Sequence, residues 1–183
     1  TAEKQVEPPE IQARPFFTFS PRGDGRAIQI SISGISSEQE IDYEITYTTA
    51  AGLTQGIGGP VAQELGQTFY TREHIFGTCS KNVCTYDKGI GNGKWRATIA
   101  KGLETYELAG VWKLQSLGTQ SLKLGLDGKF ELQVEPATFS KSVFVIIAEN
   151  SSLPKNLPSG VRLVSGSFTI TPAETVSFKK PAK

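Results

Sequence analysis

The sequence contains no methionine, one histidine and two cysteines among 183 residues. A structural zinc site needs about four cysteine or histidine ligands, so these three residues cannot form a complete one. Because the chain opens on Thr1 without an initiator methionine, we expect a processed chain, from which an export signal or another leading segment has been removed. No metal or cofactor is predicted.

Long apolar runs and an excess of one charge are also missing. The longest apolar run, residues 143–148, is far shorter than the ~20 apolar residues of a membrane-spanning helix, so no membrane span is predicted. Lysine and arginine number 19 against 18 acidic residues, and both signs are scattered along the chain. A nucleic-acid partner would require concentrated basic charge, so none is expected.

Alternating apolar and polar residues recur along the chain, and this period is typical of strands with one buried face. Asp-Gly in "RGDGR" and "LDGKF" and Asn-Gly in "GIGNGKW" are hairpin-turn signals between these stretches. The pattern predicts an all-β antiparallel sandwich, immunoglobulin-like or jelly-roll-like. The residues predicted to face inward are Ile28, Ile30, Ile32, Ile41, Tyr43, Ile45, Tyr47, Trp95, Ala97, Ile99, Tyr106, Leu108, Trp112, Leu114, Phe130, Leu132 and Val134.

The ends of the chain differ from this pattern. Residues 1–15 contain three prolines and five charged residues, which predicts an extended N-terminal arm outside both helix and sheet ladder. Residues 16–183 are predicted to form a single sandwich, with a possible subdivision near 135–142. Residues 143–148 are apolar on both faces, which indicates either a central strand covered on both sides or a strand that meets a partner.

Cys79 and Cys84 are separated by four residues in "TCSKNVCT". This spacing fits a disulfide that closes a short hairpin loop, and two free thiols are the alternative. A ring this small would add about 2 kcal/mol in the chain-entropy model, so the bond would fix a loop and would not hold the fold together. A disulfide also favours an oxidising, extracellular location.

Two candidate sites have simpler structural explanations. Arg22-Gly23-Asp24 matches an integrin-binding tripeptide, but Pro21 and the glycines around it predict an ordinary turn. His74 is the only candidate for a histidine base, and no Gly-x-Ser-x-Gly nucleophile motif accompanies it. We therefore expect a hydrogen-bonded or exposed strand histidine and no enzymatic activity.

Acidic residues supply two weaker candidates. Asp42 and Glu44 share one strand face and could form a carboxylate pair for sugar hydrolysis. Lys94 and Arg96 form a matching basic face, so cross-strand ion pairing explains the same pattern. Asp24, Asp87 and Asp127 are isolated beside turns, in contrast to the clustered oxygens of a calcium site.

The strand spacing and the threonine- and tyrosine-rich composition of "YEITYTT", with "GKWRATI" and "GSFTITPA", resemble those of bacterial immunoglobulin-like β-sandwich surface proteins. That resemblance implies a spacer, an adhesive module or a filament subunit. We therefore expect a secreted or cell-surface protein that binds protein partners or copies of itself through its edge strands and N-terminal arm. The alternative is a carbohydrate-binding module or small hydrolase, which would require exposed tryptophans or converging carboxylates; Trp95 and Trp112 are instead expected in the core.

Overall fold

The computed structural model describes residues 3–62, 66–81, 83–117, 123–126, 128, 130–133, 142–158, 160, 163 and 166–175. Within these ranges the chain forms strands and no helix. In chain order the strands are β1 (Lys4–Gln5), β2 (Phe16–Pro21), β3 (Ala27–Ser33), β4 (Glu40–Thr48), β5 (Thr54–Pro60), β6 (Phe69–Ile75), β7 (Gly77–Ser80), β8 (Val83–Tyr86), β9 (Asn92–Lys101), β10 (Glu104–Leu117), β11 (Lys123–Leu126), β12 (Phe130–Gln133), β13 (Val143–Asn150) and β14 (Ser167–Pro172).

The two main sheets of the structure pack face to face. The large sheet has the order β14-β13-β10-β9-β4-β5, with β1 added alongside β10, and the small sheet has the order β2-β3-β6. Two further hairpins, β7–β8 and β11–β12, form separate two-stranded sheets. Every ladder among the described residues is antiparallel except the β1–β10 pair. The predicted antiparallel β-sandwich is confirmed.

The main core lies between the two sheets, where the alternating side chains of both meet. Each predicted inward position on β3, β4, β9 and β10 is buried, and Phe17 and Phe19 of β2 join them with no exposed surface. Burying each large apolar side chain contributes ~1.5–3 kcal/mol, so this layer supplies most of the stabilisation. Phe130 and Leu132 are half-buried, and Val134 lies outside the described residues.

Both tryptophans stand opposite a glycine on the neighbouring strand. Trp95 pairs with Gly110, and Trp112 pairs with Gly93. A Cβ on Gly93 would overlap a backbone oxygen of β4 and come within 2.8 Å of the Trp112 ring, and a Cβ on Gly110 would lie 2.6 Å from Nε1 of Trp95. The glycines therefore provide the space that lets each indole lie flat across the adjacent strand.

Strand β13 is covered on both faces. Ile146 and Ala148 belong to the main core. The alternate residues of β13 enter a second cluster, whose buried members are Leu117, Leu126, Val143, Val145 and Ile147. Phe130 of the β11–β12 hairpin and Phe168 of β14 pack against this cluster with ring centroids 5.3 Å apart. Of the two explanations for the apolar run at 143–148, the strand covered on both sides is the one seen.

The N-terminal arm is partly a strand, which differs from the prediction. Lys4 and Gln5 pair in parallel with Glu104 and Thr105 of β10, and half-buried Val6 packs against the main core. This is possible because the arm's prolines begin only at position 8, after the paired residues. On one side of β10, strand β13 pairs only with residues 112–117. Strand β1 pairs on that same side with the beginning of β10.

The chain after position 142 contributes to the large sheet, since β13 pairs with β10 and β14 pairs with β13. The predicted subdivision near 135–142 falls almost entirely on residues 134–141, which lie outside the described part. No helix long and apolar enough to cross a membrane occurs among the described residues.

Candidate functional site

Several loops meet at one end of the sandwich, around the hairpin of residues 77–86, which we call the disulfide ribbon. Backbone hydrogen bonds join Phe76 to Arg26, Asp87 to Phe76, and Ala50 to Lys88. The β2–β3 turn, the β4–β5 turn and both ends of the ribbon are therefore held together. In a sandwich such a loop cluster is positioned by rigid sheets, which is the usual arrangement for a binding surface.

The disulfide ribbon contains the predicted disulfide. Cys79 and Cys84 are directly opposed in the β7–β8 ladder, with their Cα atoms 4.0 Å apart, and their sulfur atoms are bonded. None of the described ribbon residues is buried or belongs to either hydrophobic cluster, and Val83 near the tip is 72% exposed. The bond thus fixes the shape of an exposed hairpin.

The base of the ribbon is anchored in the core. Fully buried Phe76 packs against Tyr47 and Trp112, with ring centroids 4.9 and 5.8 Å away. The Tyr47 hydroxyl donates a 2.8 Å hydrogen bond to Oδ2 of Asp87. Burial, helped by this carboxylate, raises the pKa of Tyr47 well above its usual value, so the hydroxyl remains the donor. Anchors before and after the ribbon hold it in one orientation.

The Arg22-Gly23-Asp24 triplet forms a turn that is closed on itself. Nε and Nη2 of Arg22 contact the two carboxylate oxygens of Asp24 at 2.8 and 2.9 Å. The hydrogen bond from Arg22 is the main reason that the pKa of Asp24 falls to about 2. Arg22 also contacts Glu73 at 3.2 Å, and its guanidinium lies 5.7 Å from the ring centre of Tyr86. A receptor that bound the Arg22 guanidinium and the Asp24 carboxylate separately would first have to break this ion pair.

His74 bridges the two sheets and has no acidic partner among the described residues. Its Nε2 lies 2.7 Å from the hydroxyl of Tyr43, and the two rings meet edge to face. Burial lowers the pKa of His74, and the positive charge of Arg72 lowers it further. The geometry is that of a hydrogen-bonded strand histidine.

The carboxylates of β4 are part of a cross-strand charge network. Nη2 of Arg96 lies 3.3 Å from Oε2 of Glu44, and Nη1 of the same residue lies 3.9 Å from Oε1 of Glu107. These exposed pairs match the ion-pairing alternative to a hydrolytic site, with Arg96 as the cation. Asp42 lies on the same outer face, beside the glycines of β5.

No metal site is evident in the described part of the chain, where no group of three potential ligand residues comes together. Asp24 is paired with Arg22, and Asp87 accepts the Tyr47 hydrogen bond. Asp127, the third isolated aspartate, lies outside the described residues. The two calcium candidates that the structure describes, Asp24 and Asp87, therefore each contact another side chain and do not form a shared site.

The tryptophans are unavailable as a binding platform. Trp95 is 2% exposed and Trp112 is 0% exposed. Each indole N–H donates to a backbone oxygen, Trp95 at 3.0 Å and Trp112 at 3.3 Å. Their placement in the core agrees with the alternating pattern of β9 and β10.

The sequence did not indicate a groove on the outer face of the large sheet, close to the ribbon end. Its volume is about 480 Å³. We call it the threonine groove; its lining residues are Thr46, Tyr47, Thr48, Thr54, Asn92, Gly93, Lys94, Val111, Trp112 and Leu126. Alternation in the sequence indicates that the threonines and Lys94 lie on one face. They enclose a groove only because of the strand order and the wall formed by the β11–β12 hairpin, which the sequence does not indicate.

The fold and these surfaces define an antiparallel β-sandwich with a disulfide-closed exposed ribbon and an arm that pairs with its own sheet. No protein-family model, curated protein or solved structure matches the chain.

Proposed function

We propose that this chain is an exported structural or binding β-sandwich that associates with copies of itself by exchanging its N-terminal arm. The observation that carries the proposal is the short parallel pairing of β1 with β10. The disulfide supports a location outside the reducing cytosol, either extracellular or at a cell surface.

The contacts of β1 suit exchange because they are few and generic. Its ladder with β10 spans only two residue pairs, and backbone hydrogen bonds of 2.8 Å flank it, from the Lys4 N–H to the Leu103 oxygen and from the Val6 N–H to the Thr105 oxygen. The side chains of Lys4 and Gln5 are exposed, so Val6 is the main side-chain contact of this segment with the core. The arm of a second copy offers the same groups, and exchange of identical elements between chains is a low-cost route to association.

The remainder of the arm provides a fixed attachment point. Arg14 donates to the backbone oxygen of Ser151 at 2.7 Å, and Lys155 contacts the backbone oxygen of Gln12. Pro8 and Pro9 lie between this anchor and β1 and restrict the intervening backbone. An arm that changes partner therefore needs to reorient only its first several residues.

Cysteine trapping tests the exchange directly. Gln5 and Thr105 are neighbours in the β1–β10 register. We expect a chain with Gln5→Cys, mixed with a chain carrying Thr105→Cys and oxidised at increasing protein concentration, to form a mixed disulfide dimer on non-reducing gels. The matched control replaces Thr105→Cys with Thr85→Cys, an exposed position on the ribbon. Dimer yields equal to those of the control would contradict the proposal.

The alternative function, a carbohydrate-binding module that uses exposed tryptophans, is less well supported because both indoles are buried. Iodide quenching of tryptophan fluorescence measures this in solution. We expect weak quenching in the folded protein and strong quenching after unfolding in urea. Strong quenching in the folded state would favour a tryptophan platform and count against the structural role.

A further inference from the structure

We infer that the threonine groove is a binding site for an acidic oligosaccharide, a ligand that combines ring hydroxyls with a carboxylate. The inference is independent of arm exchange, because none of the arm residues that the structure describes lines the groove. At about 480 Å³ the groove falls within the ~300–1,000 Å³ typical of small-molecule sites.

The rim of the groove provides hydroxyl and amide groups from three adjacent strands. Thr48 on β4 stands opposite Thr54 on β5, and Thr46 stands opposite Lys94 on β9. Asn92 begins β9 on the same face. Neighbouring strands lie ~4.8 Å apart, so these side chains form a regular array of donors and acceptors over a short distance. The Thr46 hydroxyl donates to the backbone oxygen of Lys94 at 3.4 Å and can accept from a ligand. The hydroxyls of Thr48 and Thr54 can donate and accept, as sugar hydroxyls do.

The charge of the groove favours an anion. Among the described residues that line the groove, Lys94 is the one charged residue, and none carries a carboxylate. Within the described part of the chain Lys94 forms no ion pair, whereas Arg96, two residues along the same strand, pairs with Glu44 and Glu107. A ligand carboxylate would give Lys94 a charge-assisted hydrogen bond, which is stronger than a neutral one.

One side of the groove is apolar. Val111 of β10 and Leu126 of the β11–β12 hairpin form this wall. The floor is closed, since Trp112 beneath Gly93 is fully buried. The C–H face of a sugar ring can pack against the wall while its hydroxyls face the threonines. An apolar wall, a hydroxyl-rich rim and a single cation together match a uronic acid better than a neutral sugar or a metal ion.

Calorimetric titration with a tetrameric oligouronate, alongside a neutral tetrasaccharide, tests the inference. We expect the oligouronate to bind more tightly, and Lys94→Gln to weaken its binding about tenfold, the loss equivalent to ~1.4 kcal/mol. The matched control is Lys101→Gln, which removes the same charge at the far end of β9, where Lys101 pairs with Glu38; it should bind as the unaltered protein does. Thr48→Ala should weaken binding of both sugars.

Three outcomes would overturn the inference: no binding of the oligouronate, equal affinity for the neutral sugar, or equal losses in Lys94→Gln and Lys101→Gln. The last outcome would indicate general electrostatic attraction. Circular dichroism of each variant separates loss of the site from loss of the fold. The arm-exchange dimer is scored in a separate experiment, so failure of either proposal leaves the other intact.

Discussion

Different forces stabilise the disulfide ribbon and the core that lies between the two sheets. Between the sheets, buried aromatic and aliphatic side chains form one continuous cluster. None of the described ribbon residues is fully buried, and a covalent bond fixes their hairpin. We therefore expect the sandwich to supply most of the stability, and changes in the ribbon or in β1 to leave it folded. Substitutions in the sandwich should change the free energy of unfolding more than substitutions in the ribbon, and their effects should extend over more of the molecule.

The largest effect is expected from Trp112→Ala. The side chain is fully buried and packs on Phe76, so its loss leaves a cavity in the main core. Removing a buried tryptophan typically costs about 3–5 kcal/mol of unfolding free energy. Urea denaturation measures it, with Leu53→Ala, at a side chain that is 60% exposed, as the control expected to change little. A loss below about 1 kcal/mol for Trp112→Ala would contradict a close-packed core.

Gly93→Ala should have the next largest effect. The added methyl would overlap the backbone of β4 and the Trp112 ring, so the strands must shift. Overpacking of this kind costs about 1–3 kcal/mol. Gly23→Ala is the matched control, because a methyl group added at that turn position would meet no other atom within 4 Å. Equal melting temperatures for the two variants would show that the tryptophan–glycine pairing does not constrain the sheet.

Opening the disulfide should be milder and local. In the chain-entropy model the bond contributes at most about 2 kcal/mol. Because the described ribbon residues belong to neither hydrophobic cluster, the Cys79→Ser and Cys84→Ser double variant should remain folded, with a melting temperature lowered by no more than about 4–8 °C. Its ribbon amides should exchange hydrogen faster, while those of β9 remain protected. Collapse of the near-ultraviolet spectrum would instead make the bond part of the core's stability.

The smallest effect concerns His74 and pH. Its folded pKa lies below the unfolded value, so the unfolded chain binds the proton first as pH falls. This contribution to stability is fully present above the unfolded pKa, near 6.5, and is lost as pH falls toward the folded pKa. The decrease in stability between pH 7 and 5 should be smaller in His74→Gln than in the unaltered protein. Identical pH profiles would contradict a half-buried imidazole whose pKa is lowered by folding.

The sequence predicts the faces of the strands well, because burial follows a period of two wherever one face is wet. Ile28, Ile45, Trp95 and Leu108 are all buried as alternation requires. The hairpin disulfide is also predictable, since its spacing leaves little choice of geometry. These features depend on local patterns, which a single sequence contains.

Features set by long-range register could not be predicted. Nothing local indicates that Thr48 and Lys94 end up around one groove. The pairing of Lys4 with Glu104 is equally hidden, because the proline content of the arm masks two residues capable of strand pairing. In each case the partner lies on another strand, whose position depends on the whole sheet.

Native-state hydrogen exchange tests the division between core and periphery most directly. The account predicts that amides of Ile45 and Ile99, in the central strands β4 and β9, exchange only through global unfolding. Amides of Thr78 and Thr85 in the ribbon, and of Lys4 in the arm, should exchange through local opening at much lower free energy. Equal protection across all these amides would show a single cooperative unit and contradict the account.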